Sequence, residues 1–149
     1  MQRKYHCFRT SAFLAQGVNG HLFVKPLDVS SCFQVAWTDH HNNTDCCKWK
    51  GIQCNNVAAL VEVLDLHHGP DTPYLIGPIN ITSLIALQNI QHLDLSNNYF
   101  WWSHIPQLMG SFTNLRYLNL STTRFGGSIP SQLGNLLQLR YLDLGGNYL

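Results

Sequence analysis

The feature that most constrains the fold of this chain is a repeat over residues 115–149. Five positions return 24 residues later: Leu115, Leu118, Leu120, Thr123 and Phe125 are followed by Leu139, Leu142, Leu144, Asn147 and Leu149. A fixed period of roughly 20–50 residues predicts a solenoid, in which each unit buries its apolar face against its neighbours. The period therefore indicates the fold class before composition is considered.

Within each repeat, the spacing of the apolar residues predicts a short strand followed by a turn. Leu118 and Leu120 are two residues apart, so their side chains point to one side of a strand and the residue between them points to the other. Asn147 can bond neighbouring loop backbone through its side-chain amide. Leu133 and Leu136 are three apart, which predicts one short helical or 3-10 turn on the outer side of the core.

The complete pattern resembles a leucine-rich repeat. That family has the repeat L-x-x-L-x-L-x-x-N-x-L, and the continuation F-G-G-S-I-P-S-Q-L-G-N-L at residues 125–136 resembles its plant extracellular subclass. The resemblance implies an α/β fold, a right-handed leucine-rich-repeat solenoid with short parallel strands on its concave face. About four repeats are expected over residues 57–149, and the last of them stops at Leu149 midway through its period, as in a piece of a longer solenoid.

Residues 37–56 resemble the N-terminal cysteine cap that precedes such repeats and covers the end of the leucine stack. Seven positions match the cap pattern D-C-C-x-W-x-G-[VI]-x-C, namely Asp45, Cys46, Cys47, Trp49, Gly51, Ile52 and Cys54. The resemblance implies one disulfide between Cys47 and Cys54 and a second from Cys46 to an upstream cysteine. Cys7 and Cys32 are both candidates for that partner, and Cys7 is preferred because Cys32 lies close to the loop that begins the cap.

Residues 1–36 are a poorly defined N-terminal segment. The apolar runs at residues 12–15 and 21–24 are interpreted as helix turns. The resemblance implies a cap helix in this segment, and residues 24–27 are interpreted as a remnant of its end. The basic start Met1-Gln-Arg-Lys is not followed by an apolar stretch of ~7–15 residues, so there is no clear secretory signal peptide. We expect either that the true start is missing or that the chain begins in the wrong place.

The side chains between the strand leucines are expected to form columns across the concave face. One column contains Glu62, Gln91, Arg116 and Arg140, a second Val63, His92, Tyr117 and Tyr141, and a third Asp65, Asp94, Asn119 and Asp143. Aromatic rings and arginines beside acids suit the recognition of a peptide or protein. The candidates for binding are Arg116, Tyr117, Asn119, Arg140, Tyr141, Asp143, His92 and Asp94; the alternative is that they are ordinary solvated strand positions.

Trp101 and Trp102 stand where the later repeat has two glycines. The preferred interpretation is structural, with one ring packed over the neighbouring repeat and the other at the surface. A lateral contact with another protein is the alternative.

Composition and motifs exclude several function classes. The 149 residues have a net charge of +1, which gives no electrostatic reason to expect nucleic acid or a membrane surface as a partner. No apolar run approaches the ~18 residues of a membrane helix, and no catalytic motif is present, so we expect neither a membrane span nor an enzyme. No cofactor is expected. A metal site is also disfavoured, because an adjacent cysteine pair suits one tetrahedral ion poorly.

Three sequons are candidates for N-glycosylation, at Asn42, Asn80 and Asn119. Asn80 is preferred because it is expected in a return loop, whereas a glycan on Asn119 would obstruct the concave face.

The resemblance implies a non-catalytic recognition module, the N-terminal part of a plant leucine-rich-repeat receptor-like protein or receptor-like kinase ectodomain. An extracellular peptide or protein ligand and a co-receptor kinase are the implied partners, and the implied location is the outer face of the plasma membrane. Two alternatives remain open, a secreted protein similar to the polygalacturonase inhibitors and a truncated receptor gene product without function.

Overall fold

A computed structural model describes residues 13–16, 22–25, 46–48, 50–70, 72, 74–77, 79, 81, 84–101 and 103–149. Its strands are β1 (Phe13–Gln16), β2 (Leu22–Lys25), β3 (Ile52–Cys54), β4 (Val61–Asp65), β5 (Leu75–Ile76), β6 (His92–Asp94), β7 (Tyr117–Asn119) and β8 (Tyr141–Asp143). The 3-10 helices are Cys46–Lys48, Leu84–Ala86, Gln107–Ser111 and Ser131–Asn135.

The predicted parallel strands form the main sheet, which has five strands in the order β3-β4-β6-β7-β8. β4, β6, β7 and β8 are parallel, one from each repeat, while β3 from the cap is antiparallel to β4. Leu64, Leu93, Leu118 and Leu142 lie in one register across the four parallel strands. The solenoid fold predicted from the period is therefore confirmed.

The core is a stack of leucines, with phenylalanines packed where the chain turns after β6 and β7. Leu64, Leu93 and Leu118 are fully buried, and Phe100 and Phe125 stack on each other with ring centroids 5.4 Å apart. Each repeat covers the apolar face of its neighbour, which is why the period in the sequence carries over into the packing.

Short 3-10 helices form the convex side, as the spacing of Leu133 and Leu136 predicts. Both leucines are buried: Leu133 lies within the 3-10 helix Ser131–Asn135, and Leu136 is its C-cap. The preceding 3-10 helix packs so closely on this one that a Cβ at Gly110 would lie 2.2 Å from the carbonyl oxygen of Gln132. Glycine at this position therefore sets the spacing between the two repeats.

Asparagine side chains bond the backbone of neighbouring loops, as predicted for Asn147, and they join successive repeats. The Asn98 amide donates to the carbonyl oxygens of Leu66 and Leu95, and its oxygen accepts the backbone N–H of Leu75 from the preceding repeat at 2.8 Å. Asn147 bonds the preceding repeat in the same way, through the Leu120 carbonyl and the Phe125 N–H. These bonds satisfy backbone groups that have no strand partner.

The helix turns predicted at residues 12–15 and 21–24 are wrong. Phe13–Gln16 and Leu22–Lys25 are strands that pair in antiparallel fashion, and β2 also pairs in parallel with β5 to give a three-stranded sheet. An isolated helix of one turn gains few hydrogen bonds for the residues it fixes, whereas a strand obtains its bonds from a neighbour. The apolar pattern of such short runs does not distinguish these two outcomes.

Candidate recognition surfaces

The three columns predicted for the concave face are present. The register of the sheet aligns Val63, His92, Tyr117 and Tyr141 in one column and Asp65, Asp94, Asn119 and Asp143 in the next. Backbone hydrogen bonds from Gln91 to Glu62, from Arg116 to Gln91 and from Arg140 to Arg116 place those residues in a third. The strand spacing therefore brings all eight binding candidates onto one surface.

The rings of His92, Tyr117 and Tyr141 form a continuous stack, which we call the aromatic ladder. The His92 and Tyr117 centroids are 4.0 Å apart with 6° between the planes, and the Tyr117 and Tyr141 centroids are 4.3 Å apart with 4° between them. Parallel strands place equivalent side chains about 4.8 Å apart, so aromatic rings at equivalent positions stack face to face. The ladder gives the concave face a flat aromatic surface.

The acidic column beside the ladder is bonded to its own backbone. Asp94 accepts the N–H of Ser96 at 2.9 Å, the Nδ2 of Asn119 at 3.0 Å and the hydroxyl of Tyr117 at 3.4 Å. Asp143 accepts the N–H of Gly145 at 2.8 Å in the same turn of the next-but-one repeat. These carboxylates close turns at the strand ends, a role that the sequence reasoning did not anticipate.

The surroundings of Tyr117 on the concave face shift the pKa of its hydroxyl. Burial raises its pKa above the ordinary value of 10.0, and the negative charge of Asp94 raises it further. The ring therefore stays neutral and donates to Asp94 over the ordinary pH range. Tyr141 is more exposed, and its hydroxyl donates to Asp143 at 3.5 Å.

Asn119 is a sequon whose amide is already engaged. Its Nδ2 donates to Asp94, and its oxygen accepts both the N–H and the hydroxyl of Ser121, at 3.0 and 2.7 Å. A glycan on Asn119 would replace one of the two N–H groups of this Nδ2 beside Asp94. The other two sequon residues, Asn42 and Asn80, lie outside the described residues, so their glycosylation stays a prediction.

In the cap, a disulfide joins Cys47 to Cys54, with a Cα–Cα distance of 5.5 Å. Gly51 lies inside this loop at φ +81°, where a Cβ would meet the carbonyl oxygen of Asp65 at 2.0 Å, so glycine allows the cap to reach β4. The side chain of Cys46 lies outside the described residues, as do Cys7 and Cys32, and the second disulfide stays a prediction.

A second surface lies on the side of the solenoid. Trp101, Ser103, His104, Arg124, Gly126, Gly127 and Tyr148 line a groove of about 410 Å³, which we call the lateral groove. Trp101 is 51% exposed and Tyr148 is 70% exposed. Trp102 lies outside the described residues. The sequence reasoning noticed the tryptophans but missed Arg124, although Arg124 stands where the adjacent repeats have Tyr99 and Tyr148.

No helix in the described part of the chain has the length and apolar character needed to cross a membrane. No group of three or more histidine, cysteine or acidic side chains among those residues could hold a metal ion.

Comparison with known proteins relates this geometry to a family. The family model for the leucine-rich repeat matches residues 89–112 and 114–136. Receptor-like protein EIX1 of Solanum lycopersicum is 44% identical over 122 residues, which are 76% of this chain and 12% of that protein. The chain thus spans about a tenth of the length of this relative.

Solved structures show the same solenoid. The BIR2 ectodomain of Arabidopsis thaliana is 28% identical with a TM-score of 0.61, over 75% of this chain and 57% of that one. A plant ice-binding protein is 26% identical with a TM-score of 0.61, over 69% of this chain and 32% of that one. Because an ectodomain and an ice-binding protein share this solenoid, the solenoid does not by itself determine what is bound.

Proposed function

Since this chain belongs to the plant extracellular leucine-rich-repeat receptor-like proteins, we propose that it is a non-catalytic recognition module of an ectodomain at the plasma membrane. Its partner is an extracellular peptide or protein, and a co-receptor kinase is the second partner of the assembled receptor. The aromatic ladder on the concave face carries this proposal.

The ladder suits an extended polypeptide for two reasons. Its three rings run across the strands at a repeat of about 4–5 Å, so they present one continuous flat surface to apolar side chains. The exposed side chains of Arg116 and Arg140 flank it on one side, and the bonded acids flank it on the other. Aromatic residues and arginine are the residue types that contribute most to protein interfaces.

The bonding of the acids argues against catalysis at this face. General acid–base chemistry needs a carboxyl group free to reach a reacting proton. Asp94 has its oxygens bonded to Ser96, Asn119 and Tyr117, and Asp143 is bonded to Gly145. Recognition requires no such free group.

The test begins with a random peptide library, from which peptides that bind the 149-residue chain are selected. The affinity of the selected peptides is then measured for variants of the chain. We expect selected peptides to bind the Tyr141→Ala variant at least tenfold more weakly than the parent. The Arg140→Glu variant should bind acidic peptides more weakly than the parent does and cationic peptides more tightly. Leu137→Ala, which removes a fully solvated apolar side chain outside the ladder, is the control.

Two outcomes would contradict the proposal. Selected peptides that bind Tyr141→Ala and the parent equally would exclude the ladder as the site. Loss of binding in Leu137→Ala to the same degree would show that the effect is unrelated to the concave face. Circular dichroism of each variant identifies loss of fold, and Tyr141→Phe should retain binding because the ring stack is kept.

A further inference from the structure

The lateral groove combines exposed aromatic rings with cationic or polar side chains. Trp101 and Tyr148 come from different repeats, and Arg124 lies in the repeat between them. His104 packs against Gly127 so closely that a Cβ there would lie 2.2 Å from the imidazole Cδ2. Gly127 has φ +86°, so both its space and its backbone require glycine. The packing of His104 on Gly127 therefore fixes the shape of this wall of the groove.

Arg124 lines this surface from a strained backbone position. Its φ is +62°, a region that side-chain-bearing residues rarely adopt and that costs about 1–2 kcal/mol. Its guanidinium lies 4.7 Å from the centroid of the Tyr99 ring. Among the described residues, Arg124 has no ion-pair partner. Strain of this kind is concentrated at sites that hold a side chain for binding.

The electrostatics of this side of the solenoid favour an anionic partner. Arg124 is the arginine that lines the groove, and no residue of the lining is acidic. The two acids of the repeats that form the groove, Asp94 and Asp143, lie in the concave column, and Arg116 and Arg140 lie in another column of the same face. The charge of Arg124 is therefore not compensated by an acid within the groove.

From this arrangement we propose that the lateral groove docks a partner polypeptide through an apolar side chain flanked by a carboxylate. Tryptophan, tyrosine and arginine are the residues most enriched at the energetic centres of protein interfaces, and the groove contains one of each. A volume of about 410 Å³ holds one or two side chains rather than a folded element. This site is separate from the concave face and does not depend on the proposed function.

The probe is a blocked tripeptide, N-acetyl-Asp-Phe-Asp-amide, titrated into the 15N-labelled 149-residue chain. We expect shifts of the Trp101 indole N–H and of the Arg124 and Gly126 amides, saturating at millimolar concentration. The matched peptide N-acetyl-Asn-Phe-Asn-amide should bind at least fivefold more weakly, because it lacks the carboxylates. Shifts confined to His92, Tyr117 and Tyr141 would overturn the proposal and point to the concave face instead.

Variants of the groove separate the contribution of the Arg124 charge from that of the apolar lining. Arg124→Gln should weaken the acidic peptide at least fivefold and leave the amide peptide unchanged. Gly126→Gln should abolish binding of both, since a Cβ at Gly126 meets no atom within 4 Å and a longer side chain fills the groove without displacing the fold. Leu137→Ala is the control and should bind both peptides like the parent.

Three results would contradict the proposal. Equal affinity for the Asp and Asn peptides would remove the charge argument. Unchanged binding in Gly126→Gln would place the peptide elsewhere. Shifts of the groove residues by a trisaccharide of a uronic acid, with none by the peptide, would assign the groove to an acidic carbohydrate rather than to a polypeptide.

Discussion

The concave face and the lateral groove contain similar residue types but differ in whether their charged side chains are bonded within the fold. On the concave face, the carboxylate of Asp94 is bonded to its own turn and to the neighbouring repeat. In the groove, the guanidinium of Arg124 lies over a tyrosine ring and, within the described residues, pairs with no acid. Polar groups bonded within the fold contribute to stability, whereas groups left unpaired at a surface remain available to a partner.

This difference separates two kinds of substitution. Removing a bonded group should lower the free energy of unfolding, and removing an unpaired one should leave that free energy nearly unchanged. Sequence columns alone do not distinguish the two kinds, because aspartate and arginine both stand on what looks like exposed surface. The free energy of unfolding of single variants distinguishes the two kinds.

The largest effect is expected at Asn98, which is fully buried in the bend between the two surfaces. Asn98→Ala leaves the Leu75 N–H and the Leu66 carbonyl without partners, which should cost about 3 kcal/mol of unfolding free energy. Urea denaturation followed by circular dichroism measures this. Asn147→Ala removes equivalent bonds in a half-exposed repeat and should cost only about 1 kcal/mol, because water replaces them. Equal losses in the two variants would mean that burial does not decide the cost.

The second prediction concerns Asp94. Asp94→Ala leaves the Ser96 N–H and the Asn119 amide without their acceptor in a buried position, so we expect a loss of about 2 kcal/mol. Asp143→Ala is the comparison, since its turn is at the exposed end of the sheet, and should cost about 0.5 kcal/mol. The same denaturation experiment measures both. A loss at Asp94 no larger than that at Asp143 would identify Asp94 as a solvated surface acid.

The sequence predicts the architecture well because each sequence repeat forms one structural repeat of the solenoid. The leucine spacing places Leu93 and Leu118 in one register, and the alternation between them assigns the concave columns correctly. The family resemblance adds the cap, whose Cys47 and Cys54 are joined in the structure. Composition contributes little beyond excluding function classes.

The features that the sequence missed depend on contacts between repeats. The second carboxylate oxygen of Asp94 accepts a hydrogen bond from Asn119 in the next repeat, and no local pattern shows that pairing. The groove requires Trp101, Arg124 and Tyr148 to meet across three repeats. The departure of Arg124 from the tyrosines at equivalent positions was the one available sign of it. The two N-terminal strands were missed because runs of four apolar residues fit either secondary structure.

A third prediction tests the strained segment that leads to the groove. Thr122 has φ +55°, whereas the equivalent positions in the flanking repeats are Asn97 and Gly146. A β-branched residue fits this region poorly, so Thr122→Gly should raise the unfolding free energy by about 1 kcal/mol. Thr113→Gly is the control: Thr113 is exposed at a φ that is not positive, and glycine there should destabilise by about 0.5 kcal/mol. Destabilisation by both changes would show that the Thr122 backbone carries no strain.

The smallest effect is expected at Arg124. Arg124→Gln removes the contact with the Tyr99 ring but no bonded buried group, so we expect a loss of about 0.5 kcal/mol. Arg124→Gly loses the same contact and relieves the strained backbone, so its stability should equal or exceed that of the parent. Both variants should nevertheless lose binding of the acidic tripeptide, which is the behaviour expected of a residue held for a partner. A loss as large as that predicted for Asp94→Ala would make Arg124 a structural residue and remove the contrast between the two surfaces.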